Sequence, residues 1–157
     1  MDVIHEGLGA LNKFKDLTEW RIVVAGGDGT IASVLNYLYD TLKPKYYPGV
    51  SLIPLGTGND LSRVLGWGKT ISNTDVYDYL ENLEARSTMT LLDRWKVTFT
   101  YQKNEKVWKG LKREAKLKTI IESRYMYNYL GIGIDAKIAK DFHTLREQYP
   151  NLFSNRV

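Results

Sequence analysis

The sequence is poor in the residues that most often carry metal or redox chemistry. It has no cysteine and two histidines, His5 and His143, which lie far apart in the chain. Disulfide bonds and thiolate chemistry are therefore excluded, and a zinc site is not expected. No apolar run approaches the roughly 20 residues of a transmembrane helix, and the N-terminus lacks the basic start and apolar core of a signal peptide. These absences favour a cytoplasmic location.

The overall composition is that of an ordinary globular protein. Of the 157 residues, 43% are hydrophobic and 25% are charged, which is typical of a soluble domain. The length suits one domain or parts of two. The net charge of +4 is modest, so the placement of the charges is more informative than their sum.

A strand, a glycine loop and a helix are predicted in the stretch IVVAGGDGTIASVLNYL, residues 22–38. Its first four residues form a continuous apolar run, typical of a strand buried on both faces in a parallel sheet. After the loop, apolar residues recur at the spacing of one helix face, at Ile31, Val34, Leu35 and Leu38. This order directs backbone N–H groups and the positive end of a helix dipole at one point. It favours a phosphate site over the alternative, a hairpin turn at Asp-Gly.

The first glycine loop differs from the common nucleotide-binding motifs. No Gly-Lys-Ser/Thr follows it, so it is not the loop of ordinary nucleotide hydrolases, and the third glycine of the dinucleotide fingerprint is absent. The loop carries an acid, Asp28, instead. A carboxylate repels a phosphate unless a cation lies between them, and Mg²⁺ commonly bridges such oxygens. The loop therefore predicts a phosphate site that uses Mg²⁺.

The stretch SLIPLGTGNDLSRVLGWG, residues 51–68, repeats this arrangement. Apolar residues lead into a second glycine loop at residues 56–60, and others follow it at helical spacing. They are Leu52, Ile53 and Leu55 before the loop, and Leu61, Val64 and Leu65 after it. Two such units in one parallel sheet would bring both loops to the same edge, where α/β sheets bind ligands.

Three further helices are predicted from apolar residues at helical spacing. The first covers residues 8–17, the second follows a capping box of Ser72 and Asp75, and the third runs from Asp135 until Pro150 stops it. Their apolar stripes, predicted to be buried, are Leu8, Leu11, Phe14 and Leu17; Val76, Tyr79, Leu80 and Leu83; and Ile138, Phe142, Leu145 and Tyr149.

Two strands are predicted in the second half of the chain. β-Branched and aromatic residues alternate in the first strand, and tyrosines alternate in the second. The alternating positions are Trp95, Val97, Phe99 and Tyr101, and then Tyr125, Tyr127 and Tyr129. The change from strand–loop–helix units to such strands predicts that a second domain begins near residue 90.

Residues 103–118 form a basic segment with Lys103, Lys106, Lys109, Lys112, Arg113, Lys116 and Lys118. The simplest interpretation is a solvated loop or hairpin tip. The alternative is contact with an anionic membrane surface, because each basic residue adds about 1 kcal/mol of binding there and the indole of Trp108 suits a membrane interface. Nucleic acid would attract the same charge, but no recognition motif supports it.

The motifs GGDGT, PLGTGNDLSR, LGWG, LDRW and NYLGIGIDAKIAKDFHTLREQYP together closely resemble the diacylglycerol kinase family, over nearly the whole chain. The resemblance implies transfer of the ATP γ-phosphoryl group to diacylglycerol, giving phosphatidic acid. It implies an α/β nucleotide-binding domain at residues 1–90, without its first strand, and the beginning of a β-rich accessory domain at residues 91–157. The site would lie between them, and the protein would associate peripherally with membranes.

The resemblance also implies roles for particular residues. ATP phosphates would lie along Gly26, Gly27, Asp28, Gly29 and Thr30, and the nucleotide pocket would be completed by Gly56, Thr57, Gly58 and Asn59. The acids assigned to the metal, Mg²⁺, are Asp28, Asp60 and Asp93. Phosphoryl transfer depends mainly on positioning and charge neutralisation, which loop amides and Mg²⁺ supply.

The chain also departs from the family pattern. The family's first strand and a later Asp-Gly segment, thought to supply the general base, have no counterpart here. The chain is therefore expected to be an interior piece of a diacylglycerol kinase, and nothing places Glu122 or Asp135 in the cleft as a substitute base. Two alternatives remain. One is a non-catalytic ATP-binding module, and the other is a kinase acting on sphingosine, ceramide or NAD, which Asp60 disfavours.

Overall fold

The computed structural model describes residues 6–71, 76–109 and 112–153, and the side chains of these residues outside 106–115. Helices and strands are mixed along the chain, in agreement with the predicted α/β class. Within the described residues, no helix combines the length and the apolarity needed to cross a bilayer.

Two parallel strands and the helix between them form the first part of the fold. Strand β1 (Arg21–Gly26) pairs with β2 (Gly49–Pro54), in a register that places Arg21 beside Gly49 and Gly26 beside Pro54. Helix α2 (Asp28–Asn36) follows β1 and continues as a π-helical segment, Tyr37–Leu42. Because the strands are parallel and in register, both glycine loops leave the sheet at the same edge, as predicted.

The core lies between this sheet and α2. Its buried side chains are Val24, Ile31, Val34, Leu35, Leu38, Leu52 and Leu61. Ile31 and Leu38 are each 1% exposed, so the helical spacing after the first glycine loop identified the buried face correctly. The prediction that β1 is buried on both faces was wrong. Val24 is buried but Val23 is 38% exposed, because no described helix covers that side of the strand.

The N-terminal segment packs on the core only in part. The N-terminal helix is only one turn, α1 (Leu8–Ala10), followed by a 3₁₀ turn at Leu11–Phe14. Its first two predicted contacts, Leu8 and Leu11, pack on the core. Phe14 and Leu17 are exposed, so the predicted stripe is correct only at its beginning.

Helices α3 (Asp60–Val64) and α4 (Val76–Arg86) follow β2. Leu61 is buried, whereas Val64 is exposed, because α3 makes little more than one turn before Gly66 adopts a positive φ of 82°. In α4 the predicted stripe is buried at Leu83 and exposed at Val76 and Leu80. The Tyr79 hydroxyl donates a hydrogen bond to the Leu52 carbonyl and anchors α4 to β2. The predicted capping box at Ser72 and Asp75 lies outside the described residues.

A long antiparallel hairpin forms the second part of the fold. Strand β3 (Trp95–Lys109) pairs with β4 (Lys112–Met126), with Trp95 opposite Met126 and Lys109 opposite Lys112. The first strand was predicted, but most of β4 was not. The second predicted strand, through Tyr129, in fact ends at Met126. The sequence concealed β4 because even its apolar residues face solvent, with Leu117 62% and Ile121 68% exposed.

The last helix, α5 (Ile134–Gln148), begins after Gly133, which has a φ of 84°, and is followed by a 3₁₀ turn at Pro150–Phe153. Its predicted extent agrees closely with the structure. Its apolar stripe, however, is exposed at Ile138, Phe142, Leu145 and Tyr149. The stripe therefore contributes little to the described core.

We predict that Leu38→Ala lowers the free energy of unfolding by about 2–5 kcal/mol, because the side chain is fully buried and its removal leaves a cavity. Urea unfolding followed by circular dichroism measures this change. Leu91→Ala is the matched control, since Leu91 is 100% exposed and should change stability by less than about 0.5 kcal/mol. Equal losses in the two variants would contradict the assigned core.

Candidate functional site

The two glycine loops touch each other at the edge of the sheet. The Leu55 N–H donates to the Gly26 carbonyl at 3.1 Å and extends the strand pairing into the loops. A methyl group on Gly56 would overlap the Cα of Gly27 and lie 2.6 Å from Asn59 Oδ1. The two loops can therefore approach this closely only because both positions lack a side chain.

Asp28 joins the first loop to the helix after the second. Its carboxylate accepts the N–H of Asp60 on Oδ2 at 3.0 Å and the N–H of Leu61 on Oδ1 at 2.9 Å. These are amides of the first turn of α3, so a residue 32 positions away supplies the cap. The predicted phosphate and metal residue therefore has a structural role that the sequence did not reveal.

Asn59 shapes the second loop from within. It adopts a left-handed backbone conformation with φ 52° and is 1% exposed. Its Oδ1 accepts the Gly56 N–H at 2.8 Å, and its Nδ2 donates to the carbonyls of Gly56 at 2.8 Å and Lys69 at 2.7 Å. Both amide hydrogens are thus used, so the Asn59 side chain holds the loop in shape and turns away from the open surface.

Two carboxylates converge beside Gly58. A methyl group on that glycine would lie 3.3 Å from Asp60 Oδ2 and 3.5 Å from Asp28 Oδ2. Asp60 also pairs with Arg63, at 3.4 Å. Asp93 is exposed and lies in a groove lined by Leu61 and Trp95, among others. The part of the chain that the structure describes has no group of three or more His, Cys, Asp or Glu side chains arranged to hold a metal ion.

The donor set beside Gly58 nevertheless suits Mg²⁺ bound together with a phosphate. This ion prefers oxygen ligands and is usually held by one or two carboxylates, the phosphates and water. Asp28 and Asp60 offer the carboxylate oxygens. The structure does not join the third predicted acid, Asp93, to them in one cluster.

The N-terminus of α2 is open to a ligand. Its N-cap is Gly27, and among the described residues no side chain caps it. Gly29, in the first turn, is exposed, and a methyl group there would meet nothing within 4 Å. Thr30 packs instead against Gly26, where a methyl group would lie 2.7 Å from its Cβ. Uncapped amides at a helix N-terminus are suited to anions.

A groove of about 310 Å³ runs from this edge to the hairpin. Asp28, Ala32 and Leu61 form its wall on the glycine-loop side, and the hairpin and the residues after it form the other. The residues of the second wall are Val97, Phe99, Arg124, Tyr125, Met126, Tyr127, Asn128, Tyr129 and Leu130. The groove therefore places a largely apolar surface next to the carboxylate of Asp28.

An arginine cluster fixes the hairpin to α2. The Arg94 guanidinium lies 3.4 Å from the ring centroid of Tyr125 and donates to Asp40 at 2.6 Å and to the Tyr127 hydroxyl at 2.9 Å. That hydroxyl donates to Asn36 Oδ1 at 2.7 Å. We call these five residues the Arg94 cluster. Sequence reasoning missed it, because Arg94 and its tyrosine partners are far apart in the chain and no local pattern joins them.

Two ionisable members of the Arg94 cluster, Arg94 and Tyr127, have raised pKa values. Burial alone would lower the pKa of Arg94, but the hydrogen bonds that Arg94 donates to Asp40 and Tyr127 outweigh it and raise the pKa. Burial raises the pKa of Tyr127, although the neighbouring Arg94 acts in the opposite direction. Arg94 therefore stays cationic and Tyr127 stays neutral, as their hydrogen bonds require.

Comparison with known proteins agrees with this geometry. A model of the diacylglycerol kinase catalytic domain matches residues 5–91, and a model of the diacylglycerol kinase accessory domain matches residues 125–157. The catalytic-domain model alone thus covers more than half of the chain, including both glycine loops and the acids Asp28 and Asp60. The chain belongs to the diacylglycerol kinase family.

Several curated proteins that are named as diacylglycerol kinases are similar to this chain over almost its whole length. Diacylglycerol kinase 2 of Arabidopsis thaliana is 39% identical over 157 residues, covering 96% of this chain and 20% of that protein. Probable diacylglycerol kinase 3 of Caenorhabditis elegans is 37% identical, covering 94% and 18%, and human diacylglycerol kinase theta is 36% identical, covering 96% and 16%. The chain thus spans a fifth or less of these relatives. No solved structure matches it significantly.

We predict that Gly56→Ala destabilises the chain by about 3 kcal/mol or more, because the added methyl group meets backbone that no rotamer change can move. Thermal unfolding measures the loss. The matched control is Gly9→Ala, since a methyl group on Gly9 has nothing within 4 Å and alanine favours its helix by about 0.5–1 kcal/mol. A Gly56→Ala protein as stable as the control would mean that the loops do not touch as described.

Proposed function

We propose that this protein is a lipid kinase, which transfers the γ-phosphoryl group of ATP to the free hydroxyl of diacylglycerol and gives phosphatidic acid. One observation carries the proposal. Two glycine loops meet at one sheet edge, where α2 begins without a side-chain cap and the carboxylates of Asp28 and Asp60 converge beside Gly58. Membership of the diacylglycerol kinase family supports the reaction, and a sphingosine, ceramide or NAD kinase is not favoured.

The nucleotide phosphates would lie along Gly26, Gly27, Asp28, Gly29 and Thr30. Backbone N–H groups at the start of α2 would donate to the phosphate oxygens, where the helix dipole adds attraction. Gly56, Thr57 and Gly58 would form the facing wall, and Asn59 would hold that wall in shape through its hydrogen bonds to Gly56 and Lys69. Exposure of Gly29, Thr57 and Gly58 supports this division of roles.

Asp28 and Asp60 would hold Mg²⁺ together with the phosphates, because their oxygens converge beside Gly58. When bound, Mg²⁺ supplies neutralisation of the charge that develops on the phosphate oxygens. Asp28 can serve both the α3 amides and the ion because a carboxylate has about four acceptor positions and uses two of them here. Asp93, in a separate groove, would organise the site from outside the first coordination sphere of the ion.

The lipid hydroxyl must lose a proton as it attacks, and a base must reach it. Asp28 and Asp60 are engaged with the α3 amides and with Arg63, so neither is assigned this task. We propose that the base comes from a part of the kinase outside this sequence. The groove of about 310 Å³ beside Asp28 offers the diacylglycerol an apolar surface close to the phosphates.

Two domains would share this work. We propose a catalytic domain at residues 1–90 and the beginning of the accessory domain at residues 91–157. The family matches at residues 5–91 and 125–157 support this boundary. The Arg94 cluster, which binds the hairpin to the π-helical segment after α2, would set the width of the groove between them.

The hairpin would contact anionic membranes while the protein works in the cytoplasm as a peripheral enzyme. Lys103 lies directly opposite Lys118 in the strand register. Such a pair of like charges is unfavourable in the free protein, and a negative surface would relieve the repulsion. No contact with nucleic acid is proposed.

We predict that a kinase containing this chain together with the segment that supplies the base phosphorylates diacylglycerol in mixed micelles with Mg²⁺ and ATP, and that Gly29→Ala reduces this activity at least 10-fold. Alanine should raise helix stability by about 0.5–1 kcal/mol, so the loss would come from a methyl group in the space for the phosphates. Gly9→Ala is the control, because it adds a methyl group in open space far from the loops. Transfer of ³²P from ATP to lipid is the measurement.

Sphingosine and NAD, tested in parallel, should not be phosphorylated. Turnover of either in preference to diacylglycerol would overturn the substrate proposal. Binding of ATP without turnover of any lipid would favour the non-catalytic module instead. Full activity in Gly29→Ala would place the phosphates elsewhere.

We predict that binding to phosphatidylserine-containing vesicles falls about 100-fold in the variant Lys103→Gln, Lys116→Gln, Lys118→Gln and Trp108→Ala. Three charges at about 1 kcal/mol each account for this factor. The control replaces Lys13, Lys15 and Lys43 with glutamine, which removes the same charge from another part of the surface. Co-sedimentation with and without phosphatidylserine is the measurement, and equal losses in the two variants would exclude the hairpin as the contact.

A further inference from the structure

A long-range contact brings a cation from α5 to the second glycine loop. Arg146, in the last turn of α5, donates from Nη1 to the Thr57 hydroxyl at 3.0 Å, across 89 positions of sequence. Its Nη2 lies 3.2 Å from His143 Nδ1. The side chain is half-buried, and Thr57 is exposed at the tip of the loop.

The loops themselves supply no positive side chain. Residues 26–30 and 56–60 contain no lysine or arginine and two aspartates, and those two carboxylates converge beside Gly58, the residue after Thr57. A phosphate chain held here needs a further cation. Arg63 is close in sequence, but it already pairs with Asp60.

Arg146 has the properties that this cation requires. Its hydrogen-bond partners are the hydroxyl of Thr57 and the imidazole of His143, and neither is an anion. In the described residues it forms no ion pair, whereas Lys137, on the same helix, pairs with Asp141. A guanidinium held by a hydroxyl can exchange that partner for a phosphate, which it binds in a bidentate, charge-assisted way.

We propose that Arg146 is a nucleotide-binding residue, which contacts the phosphate chain of ATP at the Thr57 side of the loops. The inference rests on the proposed function, because it assumes that a nucleotide lies there. Thr57 holds the guanidinium at the rim of the site before the nucleotide enters. The accessory part of the chain thereby contributes a charge to the nucleotide pocket of the catalytic part.

The test compares Arg146→Met and Arg146→Lys with the unchanged chain. Mg·ATP affinity is measured by calorimetry and adenosine affinity by NMR titration, because adenosine shares the base and ribose but has no phosphate. Arg146→Met should bind Mg·ATP about 10- to 100-fold more weakly, the range for a lost charge-assisted hydrogen bond, and adenosine within twofold. Arg146→Lys keeps the charge, and its Mg·ATP affinity should lie between those of the unchanged chain and Arg146→Met. Lys137→Met, on the same helix, is the control and should bind both as the unchanged chain does.

The possible outcomes separate the two proposals. If the unchanged chain binds Mg·ATP and Arg146→Met binds it equally well, the inference fails and the nucleotide site stands. If Arg146→Met loses ATP and adenosine by the same factor, Arg146 only latches α5 to the loop, and the inference fails again. If Arg146→Met does not fold, Arg146→Lys is used in its place. A lower ratio of ATP to adenosine affinity than in the unchanged chain supports the inference, and an unchanged ratio means that Arg146 only attaches α5 to the loop. If the unchanged chain binds neither compound, the nucleotide site itself is wrong, and both proposals fall together.

Discussion

The carboxylate of Asp28 is the contact on which the arrangement of the site depends. It receives two amides from the start of α3 and so ties the end of β1 to the end of β2 on the ligand side. Hydrogen bonds to a charged group contribute about 1.5–3 kcal/mol each, and leaving such amides unpaired costs a comparable amount. The core beneath it, from Ile31 to Leu52, holds the sheet together but would leave the loops free to separate. This bridge closes them, together with the glycine contact beside it and the hydrogen bond from the Leu55 N–H to the Gly26 carbonyl.

A single acid that organises a loop and also faces the proposed phosphate site limits which substitutions that position can accept. Exchanging the carboxylate for a neutral amide would lose at least one of the two hydrogen bonds that cap α3, and Gly27 and Gly56 cannot gain side chains without separating the loops. Asn59 imposes a similar limit from the other side, because its amide satisfies three backbone groups at once. The short motifs therefore record packing requirements as well as ligand contacts.

Much of the first half could be predicted from the sequence, because each strand–loop–helix unit is a local pattern. The spacing of Ile31 and Leu38 identified the buried face, and the parallel pairing of the strands, with both loops at one edge, followed from two similar units. What could not be predicted arises between distant residues. The Asp28 cap, the Arg94 cluster and the contact of Arg146 with Thr57 join positions that are up to 91 residues apart. Strand β4 was missed for another reason, since a strand whose apolar residues Leu117 and Ile121 are exposed needs no apolar alternation.

The two-stranded parallel sheet also has a kinetic consequence. Within the residues that the structure describes, β1 pairs with β2 alone. In a parallel pair, successive amides of a strand point to opposite sides, so every second N–H of β1 points away from its partner. Hydrogen–deuterium exchange along Arg21–Gly26 should therefore alternate, with slow amides directed toward β2 and fast ones between them. A further strand paired with the free edge of β1 would slow exchange of the fast amides and leave the slow amides unchanged. The exchange pattern therefore reports whether that edge of the sheet is occupied.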